Sequence, residues 1–492
     1  MKYLPLISIL IFCISFLFCA GPEKQVTQGP YFGNGFHNGW ADQHSVVIWT
    51  RLTKNPEGNW EGSPFISLSG EQHQILRKST NIDSIHNAQI PAGLTIDDME
   101  GACPGAAGEV KLIYFPGDQA SEQKATEWQP VDVTRNYTLQ WKLEDLNPGT
   151  VYNITLLARA NPESNPSDTI MGNFMTPPAP DQSASIRFCT VTCHDYIRRD
   201  DPDNGHKIYP SMERLNPDFY VHTGDIEYYD KPDPYAISEE LMLFKWDRLF
   251  ALPWQRQFWS QHTTYFMKDD HDVLSDDAFP GMTYGPVTFA RGLEIFDQQF
   301  PARELPYKTI RWGKDLQIWI VEGRNFRSKN TDDDGPEKTI WGKEQKEWFF
   351  NTMTQSDAIY KVLFSSTPIL GPDRDTKADN YSNSNFSYEA NQIREFLNQQ
   401  KNIFICVGDR HWQYVTHPPG SNLWEFSAGA GSDEHAGGWK QEDERPQHRF
   451  LRVKGGFLYG EVNNTGSNPI LIFRHYDVDG NIVHEEEFLP AN

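Results

Sequence analysis

The sequence contains few cysteines, and its basic residues are far outnumbered by acids. Only 6 cysteines occur in 492 residues, so the chain is not built on a disulfide scaffold. Lys and Arg number 44 against 67 Asp and Glu, which gives a formal net charge of -23. Because nucleic-acid backbones are bound by clustered cations, we predict no nucleic-acid-binding surface.

The one long apolar run lies at the N-terminus, where Lys2 precedes a largely apolar stretch over residues 4–18. This stretch is too short to span a bilayer and is typical of secretory signals. We therefore predict a signal peptide over residues 1–21 and an exported protein. Lipidation of Cys19 is an alternative, although the bulky residues before it disfavour it. Periplasmic, extracellular and lipid-anchored locations stay open.

The remaining chain divides into two parts with different patterns. Residues 28–178 contain β-branched segments bounded by turn residues, such as 46–52 and 151–158, and they predict a β-domain. Residues 146–152 resemble the tyrosine corner of fibronectin-like sandwiches, in which a Tyr hydroxyl pins a corner turn. The first part is thus expected to be a fibronectin/Ig-like β-sandwich.

From residue 183 to residue 492, apolar strand-like segments alternate with helical patterns, which predicts an α/β domain that ends in β-strands. The acidic loop at residues 477–480 lacks an alternating ligand of a calcium loop, and we interpret it as a hairpin turn. The principal strands are predicted at residues 185–192, 316–321 and 360–365, and the helices at residues 239–252, 343–354 and 388–399.

Three further strand-like segments run directly into clusters of acids and histidine. The clusters are His222-Thr223-Gly224-Asp225, Asp269-Asp270-His271-Asp272 and Gly408-Asp409-Arg410-His411. In α/β proteins, ligands bind outside the carboxyl ends of strands, where distant loops converge. Carboxylates and imidazoles are ligands of hard and borderline cations, so the clusters predict a polynuclear metal site.

Individual residues near these strand ends have suitable chemistry. Cys193 ends the first strand of the second part, and a metal would keep its thiolate deprotonated; a buried structural cysteine is the alternative. Tyr228 follows Asp225 closely enough to ligate ferric iron in a tight turn, although alone it would be a packing aromatic. Asp409 and His411 share one face of an extended segment, because strand side chains repeat with a period of two.

The four residues of Asp269-Asp270-His271-Asp272 cannot all point in one direction. Asp270 is suited to ligate a metal while His271 projects toward a substrate. There an imidazole with a pKa near neutrality can protonate a leaving oxygen.

Together these motifs resemble the alkaline phosphatase D family of secreted metallophosphatases, within the calcineurin-like phosphoesterase superfamily. The resemblance covers nearly the whole mature chain and depends on the number and order of the motifs. Besides the three clusters and Cys193, segment 46–51, Arg324-Asn325-Phe326-Arg327 and Trp341-Gly342-x-x-Gln345-x-x-Trp348 are similar to family motifs.

The resemblance implies a four-layer α/β/β/α metallophosphatase domain that holds a ferric ion together with calcium. It implies that His271 and Arg324 face the phosphate. Lys268 stands where an aromatic is common and Asp276 where an asparagine is common, and both positions bear on the second metal and the substrate preference. The metal ligands implied are Cys193, Asp225, Tyr228, Asp270, Asp409 and His411.

We therefore predict an exported, metal-dependent phosphatase that hydrolyses small or polymeric phosphate esters. Two alternatives stay open: a phosphodiesterase of phospholipase D-like activity on diesters, and a catalytically degenerate secreted binding protein. All the expected ligand positions are occupied, which argues against degeneracy. The oligomeric state is not indicated by the sequence.

Overall fold

The structure is a computed structural model that describes residues 29–117, 119–464 and 468–491. The predicted signal peptide and Cys19 lie outside these residues. In the part of the chain that is described, no helix is long and apolar enough to cross a bilayer.

The first part of the chain is mainly antiparallel β-structure. Its sheets have the strand orders β1-β2-β6 and β4-β3-β7-β8, with β5 paired to β3. Ile48, Leu112 and Ile154 belong to one hydrophobic core, so the two sheets face each other. The strands are β1 (Phe36–Gly39), β2 (Val46–Arg51), β3 (Glu109–Pro116), β4 (Lys124–Ala125), β5 (Gln129–Pro130), β6 (Thr138–Leu143), β7 (Val151–Arg159) and β8 (Asp168–Met175).

Two details of this part bear on the predictions. The tyrosine corner is confirmed, because the Tyr152 hydroxyl accepts a hydrogen bond of 2.8 Å from the backbone N–H of Asn147. Between β2 and β3, however, the chain forms the helices α1 (Gly70–Leu76) and α2 (Ile82–Gln89), which the all-β prediction missed. These helices are short, and the capping box formed by Ser69 at the start of α1 was their clearest sequence signal.

The second part alternates strands with helices, as predicted. Its helices are α3 (Ile208–Glu213), α4 (Glu239–Phe250), α5 (Pro253–Gln261), α6 (Asp270–Val273), α7 (Phe289–Gln299), α8 (Lys343–Gln355) and α9 (Ser387–Asn398). Its strands are β9 (Ile186–Val191), β10 (Phe219–His222), β11 (Thr263–Phe266), β12 (Thr283–Tyr284), β13 (Val287–Thr288), β14 (Lys308–Trp312), β15 (Leu316–Ile320), β16 (Tyr360–Ser365), β17 (Ile403–Val407), β18 (Gln413–Thr416), β19 (Trp424–Ala428), β20 (His448–Arg452), β21 (Phe457–Asn463), β22 (Ile470–Tyr476) and β23 (Ile482–Phe488).

Two large sheets form the centre of the second part. One has the order β11-β10-β9-β21-β22-β23 and the other the order β14-β15-β16-β17-β19-β18-β20. Strands β9, β10 and β11 are parallel, as are β15, β16 and β17. Every residue of β17 is buried. This burial on both faces explains why the sequence of a parallel strand such as β17 is a continuous apolar run.

Apolar cores lie between these sheets and on their outer faces. Val221 of β10 and Phe364 of β16 share the core between the sheets. Residues of α4, α5 and α7 pack with the first sheet, and residues of α8 and α9 pack with the second. The chain therefore has the mixed α/β fold that was predicted, and the fibronectin-like and four-layer assignments remain part of the proposal below.

A buried polar contact, called here the Arg51 seam, joins the two parts of the chain. The Arg51 guanidinium donates to Asn34 Oδ1 and to the carbonyl oxygen of Cys103. It also donates to Asn136 through both the carbonyl and the side-chain oxygen. Across the seam it forms an ion pair of 2.9 Å with Asp247 of α4. The first part is thereby fixed to a helix of the second.

Candidate metal centre

Three of the predicted ligands stand shortly after strands and share an uncommon backbone conformation. Cys193 follows β9, Asp225 follows β10 and Asp409 follows β17, with φ angles of 55°, 55° and 64°. Non-glycine residues rarely adopt positive φ, and those that do concentrate at functional sites. The chain turns sharply at each strand end, so these side chains leave the two sheets and their donor atoms meet. The place where they meet is called here the crevice.

The turn at Asp409 corrects one prediction. The period-two argument placed Asp409 and His411 on one face of an extended segment. Instead, Asp409 lies in the left-handed region immediately after β17. Both side chains still reach the crevice, because the turn redirects them rather than because a strand aligns them.

Gly224 permits the close approach of two loops beneath the crevice. Its φ is 105°, and a Cβ at this position would lie 2.8 Å from the backbone nitrogen and the Cβ of Asp269. Only a residue without a side chain allows the Asp225 turn to pack this closely on the Asp269 loop.

One set of donor atoms has the spacing of ligands around a single cation. The Tyr228 hydroxyl lies 3.1 Å from Asp225 Oδ2 and 3.2 Å from His411 Nε2. Cys193 Sγ lies 3.6 Å from the same Asp225 oxygen. Metal–ligand bonds of about 2.0–2.3 Å place neighbouring ligand atoms about 3–4 Å apart. These four side chains are called here the first donor set.

A second donor set, which consists of the carboxylates of Asp225, Asp269, Asp270 and Asp409, overlaps the first at Asp225. Ligand atoms of Asp225, Asp269 and Asp409 lie within 4.8 Å of one another, as do those of Asp225, Asp270 and His271. Asp225 belongs to both sets, so its two oxygens are placed to bridge two cations. A further group joins Asp270 to two acids at the exposed edge of the crevice, Asp276 and Asp277.

The electrostatics of the crevice fit a metal. Burial raises the pKa of Asp225 well above its ordinary range; the charge of His271 opposes this rise, and the neighbouring acids reinforce it. Burial, followed by the charge of Asp225, raises the pKa of the Cys193 thiol. Burial lowers the pKa of His411, which favours the neutral imidazole that binds metals. Asp225 Oδ1 is buried without a hydrogen-bond partner among the described residues, and a cation would satisfy it.

Asp272 has a structural function within its motif. Its carboxylate accepts hydrogen bonds from the backbone N–H groups of Asp225, Ile226, Glu227 and Asp269, at 2.7 to 3.1 Å. These bonds connect the β10 and β11 loops. Asp272 is therefore fully engaged, and the carboxylates of Asp269 and Asp270 are the ones that join the donor sets.

His271 is held by an acid that the sequence did not point to. Its Nδ1 donates to Asp230 Oδ1 at 2.7 Å. Burial alone would lower the pKa of His271, but the charges of Asp230, Asp270 and Asp225 outweigh it and raise the pKa to about 10. The ring packs against Tyr228, with centroids 4.3 Å apart. His271 thus borders the donor set as an imidazolium, and its raised pKa corrects the expectation of an imidazole with a pKa near neutrality.

Arg324 is fully buried beside the same loop. Its Nε donates to Asp269, and its guanidinium lies 3.7 Å from Asp270 Oδ1. Its Nη2 has no hydrogen-bond partner within the described ranges. A buried guanidinium nitrogen in this position is available to an anionic ligand.

Lys268 stands where the family resemblance predicts an aromatic, and the structure explains this difference. Lys268 Nζ donates to Glu322 Oε2 at 2.7 Å, and both side chains are buried. The other oxygen of Glu322 accepts the backbone N–H of Arg324 at 2.6 Å. The ion pair therefore joins the loop that carries Asp269 to the loop that carries Arg324.

The structure also shows contacts of two crevice residues, His435 and Arg410, that the motifs did not indicate. The His435 ring lies 4.1 Å from that of His411 and 5.1 Å from that of Tyr228. Arg410 forms an ion pair with Asp409 and donates to Asp373 Oδ1 at 2.8 Å. Neither contact could be read from the sequence, because each depends on loops that are far apart along the chain.

Comparison with known proteins identifies the family and the fold of the chain. The family model for PhoD-like phosphatases matches residues 188–468. A solved structure of PhoD aligns with 95% of this chain and 91% of its own, with 15% identity and a TM-score of 0.69. A purple acid phosphatase from yellow lupin (Lupinus luteus) seeds aligns with 92% of this chain and 73% of its own, with 12% identity and a TM-score of 0.58.

No curated protein matches the sequence significantly. The two structural matches, at these identities, show a shared fold. The family match carries the assignment, because it spans more than half of the chain and includes all the predicted site residues. The chain therefore belongs to the PhoD-like phosphatase family.

Proposed function

We propose that this chain is an exported, metal-dependent phosphatase that hydrolyses phosphomonoesters in the crevice. In this proposal the first part is a fibronectin-like sandwich and the second a four-layer metallophosphatase domain. The observation that carries the proposal is the meeting of a thiol, a phenol, an imidazole and several carboxylates at strand ends of two sheets.

Cys193, Asp225, Tyr228 and His411 would hold a ferric ion, since thiolate, phenolate and imidazole suit transition metals. Asp270 and Asp409, with the second oxygen of Asp225, would hold calcium, which takes oxygen ligands. When bound, the metals supply charge that neutralises phosphoryl oxygens and acidifies a water molecule.

The protein side chains would bind and orient the ester. Arg324 Nη2, which lies 3.7 Å from Asp270 Oδ1 and has no hydrogen-bond partner among the described residues, would donate to a phosphoryl oxygen, while Asp269 fixes the orientation of the guanidinium. Because Nδ1 of His271 donates to Asp230, its Nε2 is the nitrogen that delivers a proton to the leaving oxygen. The reaction requires the attacking and leaving oxygens to lie roughly in line with the phosphorus.

A phosphodiesterase would use the same donor sets, and the two activities are separated by assay. Purified wild-type protein is given p-nitrophenyl phosphate and bis(p-nitrophenyl) phosphate in parallel. The proposal expects the higher kcat/KM with the monoester. The reverse preference would favour the diesterase alternative.

The site assignment is tested with His411→Ala, and His417→Ala serves as a matched control. His417 lies outside the crevice, where its Nδ1 donates to the carbonyl oxygen of Leu423. We expect His411→Ala to reduce kcat for the monoester by about 10³-fold, which corresponds to about 4 kcal/mol. The control should stay within about twofold of wild type. A folded His411→Ala protein with full turnover would show that the site is assigned wrongly.

A further inference from the structure

We propose that His435 is a further residue of the reaction site, and that its Nε2 accepts a hydrogen bond from the water that attacks phosphorus. This inference rests on the proposed phosphatase function and adds a residue to it. His435 lies between β19 and β20, beyond every motif that the sequence pattern singled out.

The protonation of the His435 ring follows from its backbone contact. Nδ1 lies 3.0 Å from the carbonyl oxygen of Cys193. A carbonyl oxygen can only accept a hydrogen bond, so Nδ1 carries the proton and Nε2 presents a lone pair. That Nε2 is buried and has no hydrogen-bond partner among the described residues. Buried acceptors are normally satisfied, so Nε2 is expected to meet a donor that binds in the crevice.

The position of His435 complements that of His271. Both rings border Tyr228, with centroids 5.1 Å and 4.3 Å from it. His435 also contacts His411, whereas His271 is held by Asp230 at the Asp270 end of the crevice. The two imidazoles therefore border the same phenol but have different further neighbours. With His271 serving the leaving oxygen, His435 is the residue placed to serve the attacking oxygen.

The loop that carries His435 is fixed to the loop that carries Cys193. The N–H of Gly431 donates to the carbonyl oxygen of Cys193 at 3.2 Å. The Ser432 hydroxyl donates to the carbonyl oxygen of Arg198 at 2.5 Å and accepts the N–H of His435 at 3.2 Å. The imidazole is thus held in place before any ligand binds, as an orienting residue must be.

The geometry favours a water donor over direct metal ligation. Ligand atoms of Cys193, Asp225 and His411 lie within 4.8 Å of one another, and His435 does not belong to that group. Its Nε2 therefore lies beside the donor set rather than within it. A water molecule supplies both the donor that Nε2 lacks and the nucleophile that hydrolysis needs.

The test compares His435→Phe and His435→Gln with His206→Phe. The Phe variant keeps a flat ring without an acceptor, and the Gln variant restores an acceptor oxygen. His206 is the matched control, because it is fully buried and its ring contacts that of His194 rather than a predicted ligand. Circular dichroism confirms that each variant folds. The assay measures kcat and KM for p-nitrophenyl phosphate, inhibition by inorganic phosphate, and bound iron and calcium.

We expect His435→Phe to reduce kcat by about 10²-fold, with KM and phosphate inhibition within about threefold of wild type. Metal content should be unchanged, His435→Gln should recover about tenfold, and His206→Phe should stay within about twofold of wild type. Three results would overturn the proposal: an unchanged kcat in His435→Phe, loss of metal in that variant, or an equal loss of kcat in His206→Phe. A wild-type protein that hydrolyses no ester would instead reject the proposed function itself.

Discussion

The metal crevice and the Arg51 seam both bury charged side chains, yet they differ in how the charges are partnered. In the seam, every nitrogen of the Arg51 guanidinium bonds an oxygen of the chain, and the ion pair with Asp247 measures 2.9 Å. In the crevice, Asp225 Oδ1, Arg324 Nη2 and His435 Nε2 lack hydrogen-bond partners among the described residues.

This difference separates groups that serve the fold from groups that serve a ligand. A buried polar atom without a partner costs about 1–3 kcal/mol. The seam is complete without any ligand, and the crevice is complete only with one. We infer that mutations in the two regions will affect different properties of the protein.

The largest effect on activity is expected from Asp225→Asn. The change removes the carboxylate shared by both donor sets, so kcat for p-nitrophenyl phosphate should fall by at least about 10³-fold. In chelator-treated protein the Tm should not fall, because the change removes a buried charge whose neighbours are also acidic. A large fall in Tm would mean that Asp225 is a structural residue like those of the seam.

The largest effect on stability is expected from Arg51→Ala. It leaves Asp247 buried without its cation, which should lower the free energy of unfolding by about 3–5 kcal/mol. Urea unfolding measures this change, while kcat per folded molecule should match wild type. Lys343→Ala is the control, because that lysine is exposed and forms an ion pair only at 3.9 Å; it should change stability by less than about 1 kcal/mol. A normal unfolding midpoint for Arg51→Ala would contradict the comparison.

A smaller loss of activity is expected from Asp269→Asn. The neutral amide holds the Arg324 guanidinium less firmly than the carboxylate does. The kcat/KM should fall by about 10–100-fold, because that factor corresponds to the free energy of one charge-assisted hydrogen bond. Inhibition by inorganic phosphate should weaken in parallel. Unchanged phosphate inhibition would show that Arg324 does not face the phosphate.

The smallest effect concerns pH and is measured without metal. The pKa of His271 is raised to about 10 in the folded protein, above its ordinary value of 6.5. The pair with Asp230 therefore adds stability that is fully present below about pH 6.5 and is lost as pH rises through about 10. In chelator, the Tm of wild type should exceed that of Asp230→Asn near neutral pH, and the gap should close toward pH 10. A gap that widens with pH would contradict the assignment.

The sequence was most informative where residues that can ligate a metal follow closely after a strand. β10 and β17 are apolar runs followed closely by Gly-Asp, and this pattern located Asp225 and Asp409 correctly near the ends of buried strands, although it did not predict the turn at Asp409. The structure brings every predicted site residue into one crevice. Their individual roles remain predictions.

Other features could not be predicted, because they depend on tertiary packing. No pattern indicated that β10 and β17 belong to different sheets, so that the crevice lies between sheets. Asp230 and His435 lie in loops without a motif, and each becomes part of the site only through contacts with distant residues. The motif Asp269-Asp270-His271-Asp272 likewise could not show that Asp272 bonds backbone and Asp269 bonds Arg324.

The central claim is that the crevice binds metal through the residues of the first donor set. Elemental analysis of purified wild type, Cys193→Ala and Cys406→Ala tests it most directly. Both cysteines are buried, but Cys406 lies within β17, outside the donor sets. We predict about one iron per chain in wild type and in Cys406→Ala, and little in Cys193→Ala. A wild-type protein with neither iron nor calcium, or a Cys193→Ala variant that retains its iron, would contradict the claim.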